Sequence, residues 1–265
     1  MLKAGVAVLV MALGGLFGLG RVERAAVYPF DATRVAPEAL GLDLREVVFE
    51  SGGERLILWV AEAAPGKPVI LYFHGNAGNL AARAGRFAQF RARGYGVVAL
   101  GYRGSSGSSG TPSERNIAFD AGRVFTRIGA YGAGPVVIYG ESLGTAVALA
   151  AVERARRQPA AVVLEAPFTS VKAVARQAYP ELDAWIDKME SEWDSLARVK
   201  KLRAPVMVIH GRADAVIPFE MGRAVYEAAG SSEKRFRAVA GGGHTDPWRR
   251  DVLGDLWGFI DAFGS

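Results

Sequence analysis

Cysteine is absent from this 265-residue chain. That excludes disulfides, thiolate nucleophiles, iron–sulfur clusters and cysteine-built zinc sites together. Histidine occurs three times, so imidazole chemistry has only His74, His210 and His244 to draw on. No Gly-x-x-x-x-Gly-Lys-Ser/Thr loop is present for nucleotide phosphates, and no His-Glu-x-x-His for a catalytic zinc. Neither a metal nor an organic cofactor is therefore expected. Basic residues outnumber acidic ones for a formal charge of +5, but they form no block. Arg83, Arg86, Arg91 and Arg93 follow one helical stretch, and Arg154, Arg156 and Arg157 another. Both sets read as solvated helix faces, and no nucleic-acid partner is expected.

Apolar patterning is abundant. Half of the residues are hydrophobic and 22% are charged, which suits a folded domain with a full core. No charge interrupts residues 4–20, which lie between Lys3 and the cluster Arg21, Glu23 and Arg24. This is the short end of a membrane-spanning helix. A cleaved signal peptide would want a small-x-small site, and Arg21-Val22-Glu23-Arg24 is a poor one. Residues 1–24 therefore read as a signal-anchor, with a cleaved signal peptide and a secreted or periplasmic product as the alternative. The catalytic domain, residues 25–265, is expected outside the cytoplasm. Lys3 nearly balances Arg21 and Arg24, so the charge bias itself does not set the side.

Short apolar runs then alternate with longer helical patterns. Runs at 44–49 and 56–61 flank the turn signal Ser51-Gly52-Gly53 and form a hairpin candidate. Further strand candidates lie at 69–73, 96–100, 136–139, 161–164, 206–209 and 236–239, and helices are expected at 79–93, 114–130, 142–157, 219–229 and 247–263. An antiparallel start followed by repeated strand–helix units predicts an α/β fold with about eight strands, mostly parallel, and helices on both faces. Residues 165–205 break this rhythm. They read either as a lid over a pocket or as two ordinary connecting helices.

The segment Gly140-Glu141-Ser142-Leu143-Gly144 joins the run Val136-Val137-Ile138-Tyr139 to the helical run that begins at Thr145. A strand-to-helix turn this tight crowds the backbone, and glycines two positions either side of the serine remove the Cβ atoms that would collide. The serine hydroxyl is then exposed at a helix N-terminus, where developing negative charge is favoured. Ser142 is the candidate nucleophile and needs a base within hydrogen-bond reach. His74 and His210 each end a buried strand, whereas His244 lies in the flexible loop Gly241-Gly242-Gly243-His244 and is the base candidate. The acid should fall between them in the chain. Asp214, just past the 206–209 strand, fits best. Asp194 reads as a helix cap, and Asp246 is too close to His244 to orient it easily. The backbone N–H of Leu143 is one candidate oxyanion donor, and a second should come from His74-Gly75-Asn76-Ala77-Gly78-Asn79. Asn76 is preferred there, with Ala77 open. His74 reads as a structural hydrogen-bonder beneath the site.

These blocks, with Tyr102-Arg103-Gly104-Ser105-Ser106-Gly107, Glu165-Ala166-Pro167-Phe168-Thr169-Ser170 and His210-Gly211-Arg212-Ala213-Asp214, together resemble the Bem46-like α/β-hydrolases, a group often membrane-anchored. The resemblance implies the α/β-hydrolase fold and a Ser-Asp-His triad carried onto Ser142, Asp214 and His244. It also implies hydrolysis of acyl esters or thioesters without a metal. Relatives act on lysophospholipids, monoacylglycerols or palmitoylated proteins, so the expected partner is a lipid-like acyl ester met at a membrane through residues 4–20. A serine peptidase and a non-catalytic, membrane-tethered binding protein on the same fold are the competing readings.

Overall fold

The computed structural model describes residues 18–264. The residues 4–17 of the expected anchor lie outside them. Leu19 and Gly20, the end of the apolar run, instead open helix α1 (Leu19–Val27), which also carries Arg21, Glu23 and Arg24. Among the described residues no helix is long and apolar enough to cross a membrane.

Strands β1 (Arg45–Ser51) and β2 (Glu54–Ala61) form the expected hairpin, in register from Arg45 opposite Val60 to Ser51 opposite Glu54. Its two-residue turn needs positive φ at both positions, and Gly52 and Gly53 supply 60° and 82°. The remaining strands are β3 (Val69–Phe73), β4 (Gly96–Leu100), β5 (Val136–Glu141), β6 (Ala161–Glu165), β7 (Val206–Gly211) and β8 (Lys234–Val239). All eight make one sheet in the order β1-β2-β4-β3-β5-β6-β7-β8, parallel except where β2 meets β1 and β4. This is the α/β-hydrolase fold expected from the sequence.

Every residue of β3, β4 and β6 is buried, because helices cover both faces of the sheet. Alternation splits the core in two. Val69, Leu71 and Phe73 pack under α3 (Glu114–Thr126) and α4 (Leu143–Ala155), while Ile70 and Tyr72 face α2 (Ala84–Ala92) and α9 (Arg250–Phe263). The predicted helices are shorter than expected where capping chemistry intervenes. Asn79 caps a 3₁₀ turn, Leu80–Arg83, ahead of α2 by accepting from the Ala82 amide. Residues 165–205 hold three short helices, α5 (Val171–Ala178), α6 (Asp183–Ile186) and α7 (Ser195–Val199), before α8 (Phe219–Ala228) resumes the alternation.

Backbone meets backbone where α4 crosses the ends of β3 and β5. A Cβ on Gly144 would stand 2.0 Å from the Phe73 carbonyl oxygen, and one on Gly140 2.4 Å from the Gly144 carbonyl oxygen. Backbone cannot yield as a side chain can. Gly144→Ala should therefore cost more than about 3 kcal/mol or prevent folding. Gly254→Ala, in an open position of α9, should stabilise by up to about 1 kcal/mol. Urea unfolding of both variants reads the contrast.

Candidate active site

Strand β5 ends at Glu141 and α4 begins at Leu143, leaving Ser142 alone in the turn between them. Its backbone lies at φ 52°, ψ −116°, a region costing a non-glycine residue roughly 1–3 kcal/mol unless its surroundings impose it. They do so here. The Ser142 amide donates to the Glu165 carbonyl at 2.8 Å, and the Thr145 amide and hydroxyl donate to the Ser142 carbonyl at 2.9 and 2.6 Å.

His244 reaches this serine from the loop after β8. Its Nε2 is 3.1 Å from Ser142 Oγ, and its Nδ1 is 2.8 Å from Asp214 Oδ2. With Nδ1–H donating to the carboxylate, Nε2 is left with a lone pair for the serine proton. Asp214 Oδ1 accepts the amides of Val216 and Ile217, each at 2.8 Å, so the carboxylate is fixed on its own loop before it meets the imidazole. His210, fully buried, donates from Nε2 to the Ile217 carbonyl at 2.9 Å and stands 3.4 Å from Asp214 Oδ2. Burial disfavours the Asp214 charge, but hydrogen bonds from His210, His244 and the Ile217 amide outweigh it and hold the carboxyl well below the usual range. The other two acids are employed elsewhere. Asp194 caps α7 through the Ala197 amide at 2.9 Å, and Asp246 accepts the Gly243 amide at 2.5 Å, shaping the histidine loop.

The loop after β3 passes close to Ser142. A Cβ on Gly75 would meet Glu141 Oε1 at 3.1 Å and the Ser142 Cβ at 3.4 Å. Asn76 and Leu143 line the same cavity as Ser142. His74 lies beneath, fully buried, with Nδ1 donating to the Gly75 carbonyl at 2.7 Å and its own carbonyl accepting the Tyr102 hydroxyl at 2.9 Å. Burial, with the Arg83 charge nearby, pushes its pKa down to about 3, which keeps the ring neutral.

A buried charge cluster underpins the Asn76 loop, the turn at Ser142 and the histidine loop. Arg83 donates to Glu141 at 2.8 and 3.2 Å and to the Ala77 carbonyl at 2.5 Å, tying the Asn76 loop to the residue preceding Ser142. Arg86 forks onto Glu165, which also accepts Trp248 Nε1 at 2.9 Å, four residues beyond His244. The reading of Arg83 and Arg86 as part of a solvated face is therefore overturned: Arg83 is 8% exposed and both point inward. They do so because Glu141 and Glu165, at the ends of adjacent strands, need partners once buried. Arg154, Arg156 and Arg157 do lie exposed.

Above Ser142 opens a cavity of about 410 Å³. One wall is the stripe Val171, Val174, Ala175 and Ala178 of α5, and another comes from α1. Val216 and Ile217, beside Asp214, close a third side. The lining is overwhelmingly apolar, and the irregular segment supplies about half of it, Phe168 to Met189.

The family model described as serine aminopeptidase, S33, matches residues 64–195 and 187–246. The chain belongs to that family. Within it the chain is a Bem46-like α/β-hydrolase. It is 37% identical over 194 residues to the lysophosphatidylserine lipase ABHD12 of Rattus norvegicus, covering 66% of this chain and 49% of that protein. An uncharacterized protein of Mycobacterium tuberculosis is 35% identical over 212 residues, covering 77% of this chain and 73% of its own length. The chain thus spans about half the length of the lipase relatives it matches. In fold it resembles an esterase of Pyrococcus furiosus, with a TM-score of 0.69 at 15% identity over 90% of this chain and 100% of the other.

The charge cluster makes a pH-dependent prediction. Burial opposes the Glu141 charge, but Arg86 and Arg83 pull its carboxyl from an ordinary 4.5 down to about 2. A depressed carboxyl stabilises the fold above its unfolded value and ceases to do so as pH falls through its folded one. Glu141→Gln should therefore cost most stability at pH 7. The difference from wild type in urea unfolding should shrink steadily below about pH 4.5.

Proposed function

We propose that this protein is a serine hydrolase that cleaves carboxylic esters or thioesters bearing lipid-like acyl chains. The observation that carries the reading is the alignment of Ser142, His244 and Asp214 at the floor of an apolar cavity. Ser142 Oγ attacks the carbonyl carbon while His244 Nε2 takes its proton, and Asp214 holds the imidazole tautomer and stabilises the imidazolium. The oxyanion is received by the backbone N–H groups of Leu143 and Asn76. The bond to the leaving alcohol or thiol breaks as His244 returns the proton to it. Water, deprotonated by the same histidine, then attacks the acyl group on Ser142 and releases the acid.

A cavity this apolar favours an acyl chain over a peptide, whose unpaired amides would be costly to bury there. The lysophosphatidylserine lipase relatives support a lipid ester on independent grounds. The uncharged run at residues 4–20, whose last two residues open α1, supports a membrane-anchored protein, with this domain placed outside the cytoplasm.

Ser142→Ala should reduce kcat/KM on p-nitrophenyl esters by about 10³-fold or more. His244→Ala should match it, and the double variant should lose little further, because the pair acts as a unit. Wild-type turnover by Ser142→Ala would refute the assignment.

A further inference from the structure

Helix α1 presents Leu19, Val22, Ala26 and Val27 at helical spacing, and the same stripe contains Glu23. Four of these five side chains are apolar, and all five line the cavity above Ser142. A carboxylate in such a stripe is costly unless its charge is met by donors. Glu23 is 8% exposed, and its two oxygens accept the amides of Glu190 and Ser191 at 2.9 and 2.7 Å. The next two amides, Glu192 and Trp193, donate to Glu114 of α3, each at 2.7 Å. Carboxylates from two distant helices thus satisfy four consecutive amides at the end of the irregular segment.

The C-terminal end of α1 is fixed as firmly. The Tyr28 hydroxyl lies 3.0 Å from Ser191 Oγ and accepts Trp193 Nε1 at 2.9 Å. Phe30 then bridges to Gly78, and Asn79 donates to Asp31 at 2.8 Å. The stretch from Leu19 to Asp31 therefore joins the segment over the cavity to the loop that carries Asn76. These connections tie α1 into the domain from both of its ends.

We propose that α1 is a specificity-determining wall of the acyl-chain site. Val22 and Ala26 contact the part of the chain remote from the ester, and Glu23 is the positioning residue that holds the wall in place. The inference rests on the ester-hydrolase reading for its substrate but on the cavity alone for its geometry. Ala26 is exposed at the rim, so a larger side chain there can fold and still fill the remote end of the space.

Full-length Ala26→Trp and Glu23→Ala proteins would be compared with wild type in detergent on p-nitrophenyl esters from butyrate to palmitate. A long-chain dansyl fatty acid would be titrated into the same proteins. With α1 as the wall, Ala26→Trp lowers the ratio of palmitate to butyrate kcat/KM at least tenfold and weakens the dansyl probe by a similar factor. Glu23→Ala weakens the probe too and speeds tryptic cleavage after Arg24. An unchanged chain-length profile and unchanged probe affinity in Ala26→Trp would overturn the proposal. Should wild type hydrolyse no ester, the catalytic reading fails, and the probe titration still decides whether α1 forms the wall.

Discussion

A serine forced to positive φ between two touching backbones is the constraint on which the active region depends. Gly144 lies so close to the end of β3 that no side chain fits there, and that approach locks α4 against the sheet at the height where Ser142 projects. The strain at Ser142 is not relieved locally. It is sustained by the Glu165 carbonyl on the neighbouring strand and by Thr145 one turn into the helix. The geometry at the hydroxyl is thus a property of three adjacent strands, β3, β5 and β6, rather than of one loop.

The charges beneath extend the same logic. Glu141 and Glu165 sit at the ends of neighbouring strands, and two arginines from one short helical stretch lie across them. Arg83 reaches up to the Asn76 loop and Trp248 reaches in from the histidine loop, so one desolvated network touches both of these loops and the turn at Ser142. Such a network is weak evidence for net stability, since burying charge is expensive. Its effect is on position. Removing one member leaves an unpaired charge under three loops at once.

Much of this was legible in the sequence, because the informative residues obey local rules. All-apolar runs such as Val69–Phe73 announced strands covered on both sides, and Gly52-Gly53 announced the hairpin. The glycines around Ser142 marked the strand-to-helix turn, and Asp194 was recognisable as a cap. What escaped was long-range pairing. Arg83 and Arg86 look like any amphipathic surface until Glu141 and Glu165 are known to lie beneath them. The spacing of two arginines three apart, set against an acid inside the serine motif, was the available signal. The role of Glu23 was hidden for a similar reason, since its partners are backbone amides more than 160 positions away.

The segment over the cavity leaves and rejoins the domain at almost one place. The Val171 amide donates to the Glu192 carbonyl at 2.9 Å, and the Ser195 amide to the Thr169 carbonyl at 3.0 Å. Everything between is an excursion whose two ends already meet. Lengthening or shortening such an excursion changes closure entropy only slowly and leaves the sheet untouched. The roof over the serine can therefore be rewritten in length and composition while the machinery below stays fixed, which is the arrangement through which one scaffold diverges to new substrates.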